Sequence, residues 1–182
     1  MKKASSWIVG LLFVLVFGVI GYYLTLDAIP KLIYRVAQRR IDIPVNTIAK
    51  PGPIDETARS VVMPNPDFLY ATGFFDLDNG PLKLRGSLPA DDYWSLALYQ
   101  PNTVNFFVRN DQQFNSNEVD LVLATTKQAK QLETSSEVVE CPTSKGFLLF
   151  RLLVANQDSL NVERVAKHQS SIALEAFEVF LD

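Results

Sequence analysis

The chain is poor in the residues that carry metal, redox or nucleophilic chemistry: it has one cysteine, Cys141, and one histidine, His168. A single cysteine excludes an intrachain disulfide and a cysteine-rich zinc site, and a single histidine excludes multi-histidine metal centres. Cys141 stands before a proline and reads as a small core residue, since a reactive thiol requires a setting that lowers its pKa. The eight glycines form neither a Gly-x-x-x-x-Gly-Lys nor a Gly-x-Gly-x-x-Gly loop, which removes nucleotide binding by those routes. No Gly-x-Ser-x-Gly elbow is present. A Ser–His–acid set would have to use His168, which falls on a predicted helix near the C-terminus and reads as a solvated or capping residue. No cofactor and no metal site is implied. Positive charge is scarce in the body: Pro51–Asp182 holds ten Lys/Arg against eighteen Asp/Glu, a net of −8. Phosphate backbones need a basic face, so nucleic acid is a poor partner. There is no internal repeat and no low-complexity tract.

What the chain does have is one long apolar run. Trp7–Leu26 gives twenty residues without a charge, about 30 Å of helix and the thickness of a bilayer's hydrocarbon core. Trp7 at one end and Tyr22-Tyr23 at the other suit the two interfaces. The run is longer than the ~7–15 residues of a signal-peptide core and no Ala-x-Ala-like site follows, so it reads as an uncleaved single-span anchor behind a short basic tail, residues 1–6. Gly10, Gly18 and Gly21 make no Gly-x-x-x-Gly pair. Lys2 and Lys3 on one side face Lys31, Arg35, Arg39 and Arg40 on the other. That count slightly favours a cytoplasmic body, but the first two lysines sit tight against the span, and charge alone leaves the orientation open.

Residues 27–53 read as a juxtamembrane segment. An amphipathic helix over 28–40 sets Ile29, Leu32, Ile33 and Val36 on one side and Lys31, Arg35 and Arg39 on another. Its basic side is either a solvated face or one that lies on anionic lipid. Pro44, Pro51, Gly52 and Pro53 then make a linker.

The body, residues 54–182, alternates short strand-like runs with turns. Strands are predicted over Phe68–Leu77, Leu82–Arg85, Tyr93–Tyr99, Val104–Arg109, Val119–Ala124, Val138–Cys141 and Phe147–Val154. Asp78-Asn79-Gly80-Pro81 predicts a hairpin between the first two. Phe147–Val154 is apolar but for Arg151 and predicts a strand buried on both faces. Asp158-Ser159 predicts a helix N-terminus, and Ile172–Leu181 fits helical spacing better than alternation. Together these predict a mainly β (α+β) fold: an antiparallel β-sandwich or jelly-roll-like body with an N-terminal transmembrane helix and a C-terminal helix.

The chemistry left to such a body is carboxylate, amide, phenol and one guanidinium. Asn65, Asp67 and Tyr70 flank a turn into the first strand, Asp76 closes it, and Tyr93, Tyr99 and Asn105 lie on the next strands. A buried Arg is costly unless a carboxylate meets it, and Asp67 and Asp76 are the natural partners for Arg151. Three readings stay open for this cluster. It is a structural ion pair, a ligand-binding patch lined by Tyr and Asn, or a hydrolytic carboxylate pair, which needs two acids ~5–9.5 Å apart. On the ion-pair reading, Arg151→Ala costs a few kcal/mol by stranding a buried carboxylate.

At these residues the chain resembles a family. Asn65-Pro66-Asp67-Phe68-Leu69-Tyr70, Asp76-Leu77 and Gly80-Pro81 are similar to the Asn-x-Asp-Thr-Leu-Tyr…Asp-Leu…Gly-Pro signature of the uncharacterised family called domain of unknown function 1254. Tyr93-Trp94-Ser95-Leu96, Asn105-Phe106, Phe150–Val154 and Asp158-Ser159-Leu160 resemble its later segments. Phe68 stands where the family usually has Thr, so no role for that hydroxyl carries over. The resemblance implies a β-rich bacterial protein in the inner (cytoplasmic) membrane, single-pass, with its body on the periplasmic side. Longer relatives carry a second domain of unknown function, numbered 1214. The chain stops before such a domain, so the resemblance implies a half-module working with a separately encoded membrane protein that carries the other half. The expected function is a non-enzymatic, membrane-anchored envelope module that binds a partner protein or ligand. The alternative is an envelope hydrolase using Asp67, Asp76, Tyr70 and Arg151.

Overall fold

The computed structural model describes residues 2–54, 64–114, 116–156 and 158–178, with side chains from Trp7 onward. Helix α1 runs from Lys2 to Ile41 as one piece, forty residues long and so about 60 Å. The anchor and the juxtamembrane helix expected as separate elements are continuous, and Pro30 sits inside without ending the helix. α1 is long and apolar enough to cross a membrane, and its apolar stretch is unburied by the rest of the chain. The stripe Ile29, Leu32, Ile33 and Val36 stays exposed. It is the face carrying Tyr34, Ala37 and Ile41 that turns toward the body, with Ile33 of the stripe at the edge of that contact.

The body is a sandwich of two four-stranded sheets. The first has the order β1 (Phe68–Asp76), β7 (Lys145–Leu153), β3 (Trp94–Tyr99), β4 (Asn105–Asn110), all antiparallel. The second has the order β6 (Glu137–Cys141), β5 (Glu118–Thr125), β2 (Leu82–Ser87), β8 (Ala173–Ala176). Its β5–β6 pair is parallel, the others antiparallel. A parallel return needs a crossover rather than a tight turn, and the segment containing the one-turn helix α2 (Thr126–Ala129) supplies it. Alternation along each strand explains the core: Leu69, Ala71 and Phe75 of β1, Leu96 and Leu98 of β3, and Leu148, Phe150 and Leu152 of β7 meet Leu84, Leu121, Leu123 and Leu174 of the second sheet in one cluster. Cys141 lies in that cluster, as expected of a core residue, and burial pushes its thiol pKa up to about 12.

Two expectations about local structure are corrected. Asn79-Gly80 does make a turn, with Gly80 at φ +138° and its N–H donating to the Leu77 carbonyl at 3.1 Å. The strands it joins are in different sheets, however, so it is a corner between layers and not a hairpin. The tail expected to be helical instead forms β8, which pairs Leu174 with Leu84 and Ala176 with Leu82. A run this short fits either period, and the free edge of β2 decides it. Residues 179–182 of that tail lie outside the described residues. The helix before it, α3 (Ser159–Ser171), starts where Asp158 accepts a hydrogen bond from the Asn161 N–H at 2.8 Å, as its sequence predicts.

The linker after α1 is tied to the free edge of β1. Ala49 bridges Thr72, the Asn46 N–H donates to the Phe74 carbonyl at 2.8 Å, and the Asn46 side chain bonds both backbone groups of Asp76. Gly73 permits this approach, since a Cβ there would lie 2.5 Å from the Thr47 carbonyl oxygen. An otherwise open edge is thereby closed.

Candidate functional site

The outer face of the first sheet, turned away from the core, holds the unusual chemistry. Strand alternation puts Phe147, Leu149, Arg151 and Leu153 of β7 on this face while Leu148, Phe150 and Leu152 face inward. β7 is therefore half-buried by alternation, which corrects the expectation of a strand buried on both sides. Register then places Tyr70 of β1, Arg151 of β7, Ser95 of β3 and Asn110 of β4 in one row across all four strands. Directly opposed side chains in such a row stand about 4.5–5.5 Å apart at Cβ.

Three buried polar atoms without a hydrogen-bond partner gather at this end of the sheet: Arg151 Nε, Ser95 Oγ and Asp111 Oδ1. Ser95 is 2 % exposed. Asp111 directly follows Asn110, the end of the row, in a single 3-10 turn that Asn110 caps. Buried polar atoms are paired in the great majority of cases, so three together mark a place where the fold has not completed its own bonding. The other arginines described in the sandwich differ: Arg85 pairs with Glu175, Arg109 with Glu137 and Arg164 with Asp92. Among the described residues Arg151 has no carboxylate partner.

Neither expected acid pairs with Arg151. Asp76 takes the Lys145 ammonium at 2.7 Å, and Asp78 shares it at 3.0 Å. The hydrogen bonds that the Lys145 ammonium donates to these two carboxylates raise its pKa above its ordinary value, and bonds from Ser144 and Lys145 hold that of Asp78 down. Asp67 is exposed at the opposite end of β1, its backbone carbonyl accepting from the Val154 N–H at 2.8 Å and its N–H donating to the Asn65 side chain at 2.9 Å. The length of β1 separates the two aspartates by roughly 30 Å, far beyond the reach of a hydrolytic pair. The Arg151 ion pair with Asp67 or Asp76 is thus corrected: the side chain emerges on the outer face, and neither acid is there to meet it.

The rest of the expected cluster divides between the two ends of the sheet. Near Arg151, Tyr70 Oη accepts from the Asn65 N–H at 3.1 Å, and Phe68 packs edge-on against Tyr93 with ring centres 6.3 Å apart. At the far end, Asn105 donates to the Leu98 and Phe107 carbonyls at 3.0 and 3.3 Å, filling the register shift between Leu98 and Tyr99. Tyr99 lies against Phe147 there. His168 is structural, its Nδ1 2.9 Å from the Ser87 carbonyl oxygen.

That far end opens into a cleft of about 340 Å³ between α1 and the sheet. Tyr34, Ala37 and Ile41 form one wall, and Phe74, Phe147 and Leu149 form the other. Tyr34 fixes the helix in place by donating to the Gly146 carbonyl at 3.1 Å and packing edge-on against Phe74. Thr103, at the mouth, is held at φ +67°, a region that β-branched residues rarely adopt. Leu149 lines the cleft and Arg151 follows it on the same face, about 7 Å along the strand. A wider depression on α3 is made by one helix face, and its Arg164 is already held by Asp92 and Asn161.

Sequence reasoning singled out Arg151, Tyr70 and Tyr93 but not Ser95, Asp111 or the cleft. Ser95 carried a signal, being the one aliphatic hydroxyl in the apolar strand Trp94–Tyr99. The cleft carried none, because its first wall belongs to a helix that reads as a lipid or solvent face.

Comparison with known proteins agrees with this architecture. The VPA0106 protein from Vibrio parahaemolyticus has a similar fold, with a TM-score of 0.64 at 15% identity over 84% of this chain and 35% of its own. An uncharacterised protein from Burkholderia cenocepacia matches with a TM-score of 0.47 at 15% identity, over 72% of this chain and 34% of its own. The chain thus spans about a third of the length of these solved structures. No curated protein matches it. The family model described as "Protein of unknown function (DUF1254)" matches residues 45–176, which takes in the linker, both sheets and the Arg151 row, and the chain belongs to that family.

Proposed function

We propose that this protein is a single-pass membrane-anchored binding module that receives its ligand on the outer face of the first sheet. The observation that carries the reading is the row containing Arg151 and Ser95, where a guanidinium without a counter-ion among the described residues and a buried hydroxyl without a partner lie side by side. Groups left incomplete by the fold are at their most useful when something else completes them. The helix α1 supplies the anchor, and the family resemblance favours the inner membrane of the bacterial envelope with the body on the periplasmic side. On the same resemblance, a separately encoded membrane protein carrying domain 1214 is the candidate partner. The hydrolase alternative draws no support from the geometry, because Asp67 and Asp76 stand at opposite ends of β1.

Site-specific photo-crosslinking in native membranes tests this. A benzoylphenylalanine at Val108, exposed on this face in the row next to Arg151, is expected to yield a discrete adduct that Arg151→Gln weakens. The same group at Glu118, on the second sheet, is expected to yield none. Equal adducts at both positions, or an adduct at Val108 indifferent to Arg151, would count against the reading.

A further inference from the structure

The cleft and the Arg151 row are neighbours on one sheet face, and their chemistries are complementary halves of one ligand. The cleft is walled by aliphatic and aromatic groups, and its volume of about 340 Å³ sits at the lower end of the ~300–1,000 Å³ typical of small-molecule pockets. Next along β7 comes an arginine that pairs with no carboxylate among the described residues, beside the buried, unpartnered hydroxyl of Ser95. Asp111 Oδ1 lies past the other end of the row and sets a negative limit to the space an anion can use. The cleft wall Tyr34–Ile41 is eight to fifteen helical residues beyond Leu26, so it stands about 12–22 Å outside the hydrocarbon core if the span ends there.

We propose that the ligand is a free long-chain carboxylate, its hydrocarbon tail lying between α1 and the first sheet and its head pairing with the half-exposed guanidinium of Arg151. This deepens the binding-module reading and rests on it. The tail gains by leaving water for an apolar cleft, and the head gains a charge-assisted bond to a guanidinium that no carboxylate among the described residues pairs with. Bilayer phospholipid is the less suitable occupant, since a single narrow cleft serves one chain and the site stands clear of the hydrocarbon.

The test uses full-length protein in phosphatidylcholine nanodiscs, with a diazirine-bearing hexadecanoic acid as probe. Crosslinks are expected in the peptides holding Ala37 and Phe147. Arg151→Gln is expected to weaken half-saturation about ten-fold, the worth of one charged hydrogen bond. Ala37→Trp is expected to remove the labelling by filling the cleft, with circular dichroism reporting whether that variant is folded. The matching alcohol, which lacks the charge, is expected to label as weakly as the acid does on Arg151→Gln. A phosphatidylcholine bearing the same diazirine chain is expected to label Trp7–Leu26 alone. The proposal is overturned if the alcohol labels as well as the acid, if the phospholipid labels the cleft, or if Arg151→Gln changes nothing. Each of those results leaves the Val108 adduct untouched, so loss of this ligand and loss of the binding module are distinguishable.

Discussion

At the scale of single residues, position on the strand matters more than residue type. Arg151 was legible as an oddity because it breaks an apolar run, but its direction was not. Alternation sends every second residue of β7 outward, and a continuous apolar sequence conceals that because Phe147, Leu149 and Leu153 are apolar as well. The acids nearest in sequence logic were then the wrong partners, since Asp76 finds Lys145 directly across from it in the β1–β7 register. Lys145 consequently carries a testable pH signature. Its pKa is raised and that of Asp78 lowered. The raised lysine contributes below its ordinary value of 10.5 and is lost as pH rises through the higher folded value. The depressed aspartate contributes above its ordinary 3.8 and is lost as pH falls through the lower folded value. Lys145→Met should therefore lower the melting temperature slightly at pH 7, and the gap should shrink below about pH 4 as Asp78 protonates. All three groups are at least partly solvated, so the effect stays small. A gap of constant size from pH 7 to pH 2 would show that packing of the lysine stem, not charge, is responsible.

At the scale of elements, strand positions and the N-terminus of α3 were readable from period and capping, while the assembly of strands into sheets was not. Asn79-Gly80 specifies a turn but not which layer the chain enters next. The short run Ala173–Ala176 has no period of its own to defend. The junction of α1, linker and β1 was likewise invisible, because Tyr34 and Asn46 act through bonds to Gly146 and Asp76, 112 and 30 residues away. Gly73 is the one residue that local sequence rules would have flagged there, as a glycine inside a strand. Gly73→Ala should cost about 1–3 kcal/mol as the linker is forced off the edge of β1. Hydrogen exchange should report it at the Asn46 and Ala49 amides, which donate to Phe74 and Thr72. Unchanged protection at both amides would mean that the linker accommodates the methyl without leaving.

At the scale of the whole molecule, α1 is both a helix long and apolar enough to cross a membrane and a wall of the cleft. The same forty-residue helix that can cross a membrane also closes one side of the cleft, so the sandwich is seated directly on that helix and not hung from a flexible tether. Orientation can be read directly because Cys141 is buried and its thiol is pushed up to about 12, which keeps it silent toward maleimides. Asp91→Cys, at an exposed turn, then reports alone. With the body on the periplasmic side, a membrane-impermeant maleimide should label it in intact cells to the same extent as in lysed ones. Labelling only after lysis would put the body in the cytoplasm.

The claim on which the account turns is that Arg151 does not support the fold but is kept available by it. An arginine without a carboxylate partner among the described residues, and with one buried nitrogen unsatisfied, contributes little to stability and forfeits some to desolvation. Denaturant unfolding of the full chain bearing Arg151→Met measures this most directly. The account predicts a change of less than about 1 kcal/mol in either direction, whereas a loss of about 3–5 kcal/mol, the signature of a stranded buried carboxylate, would contradict it.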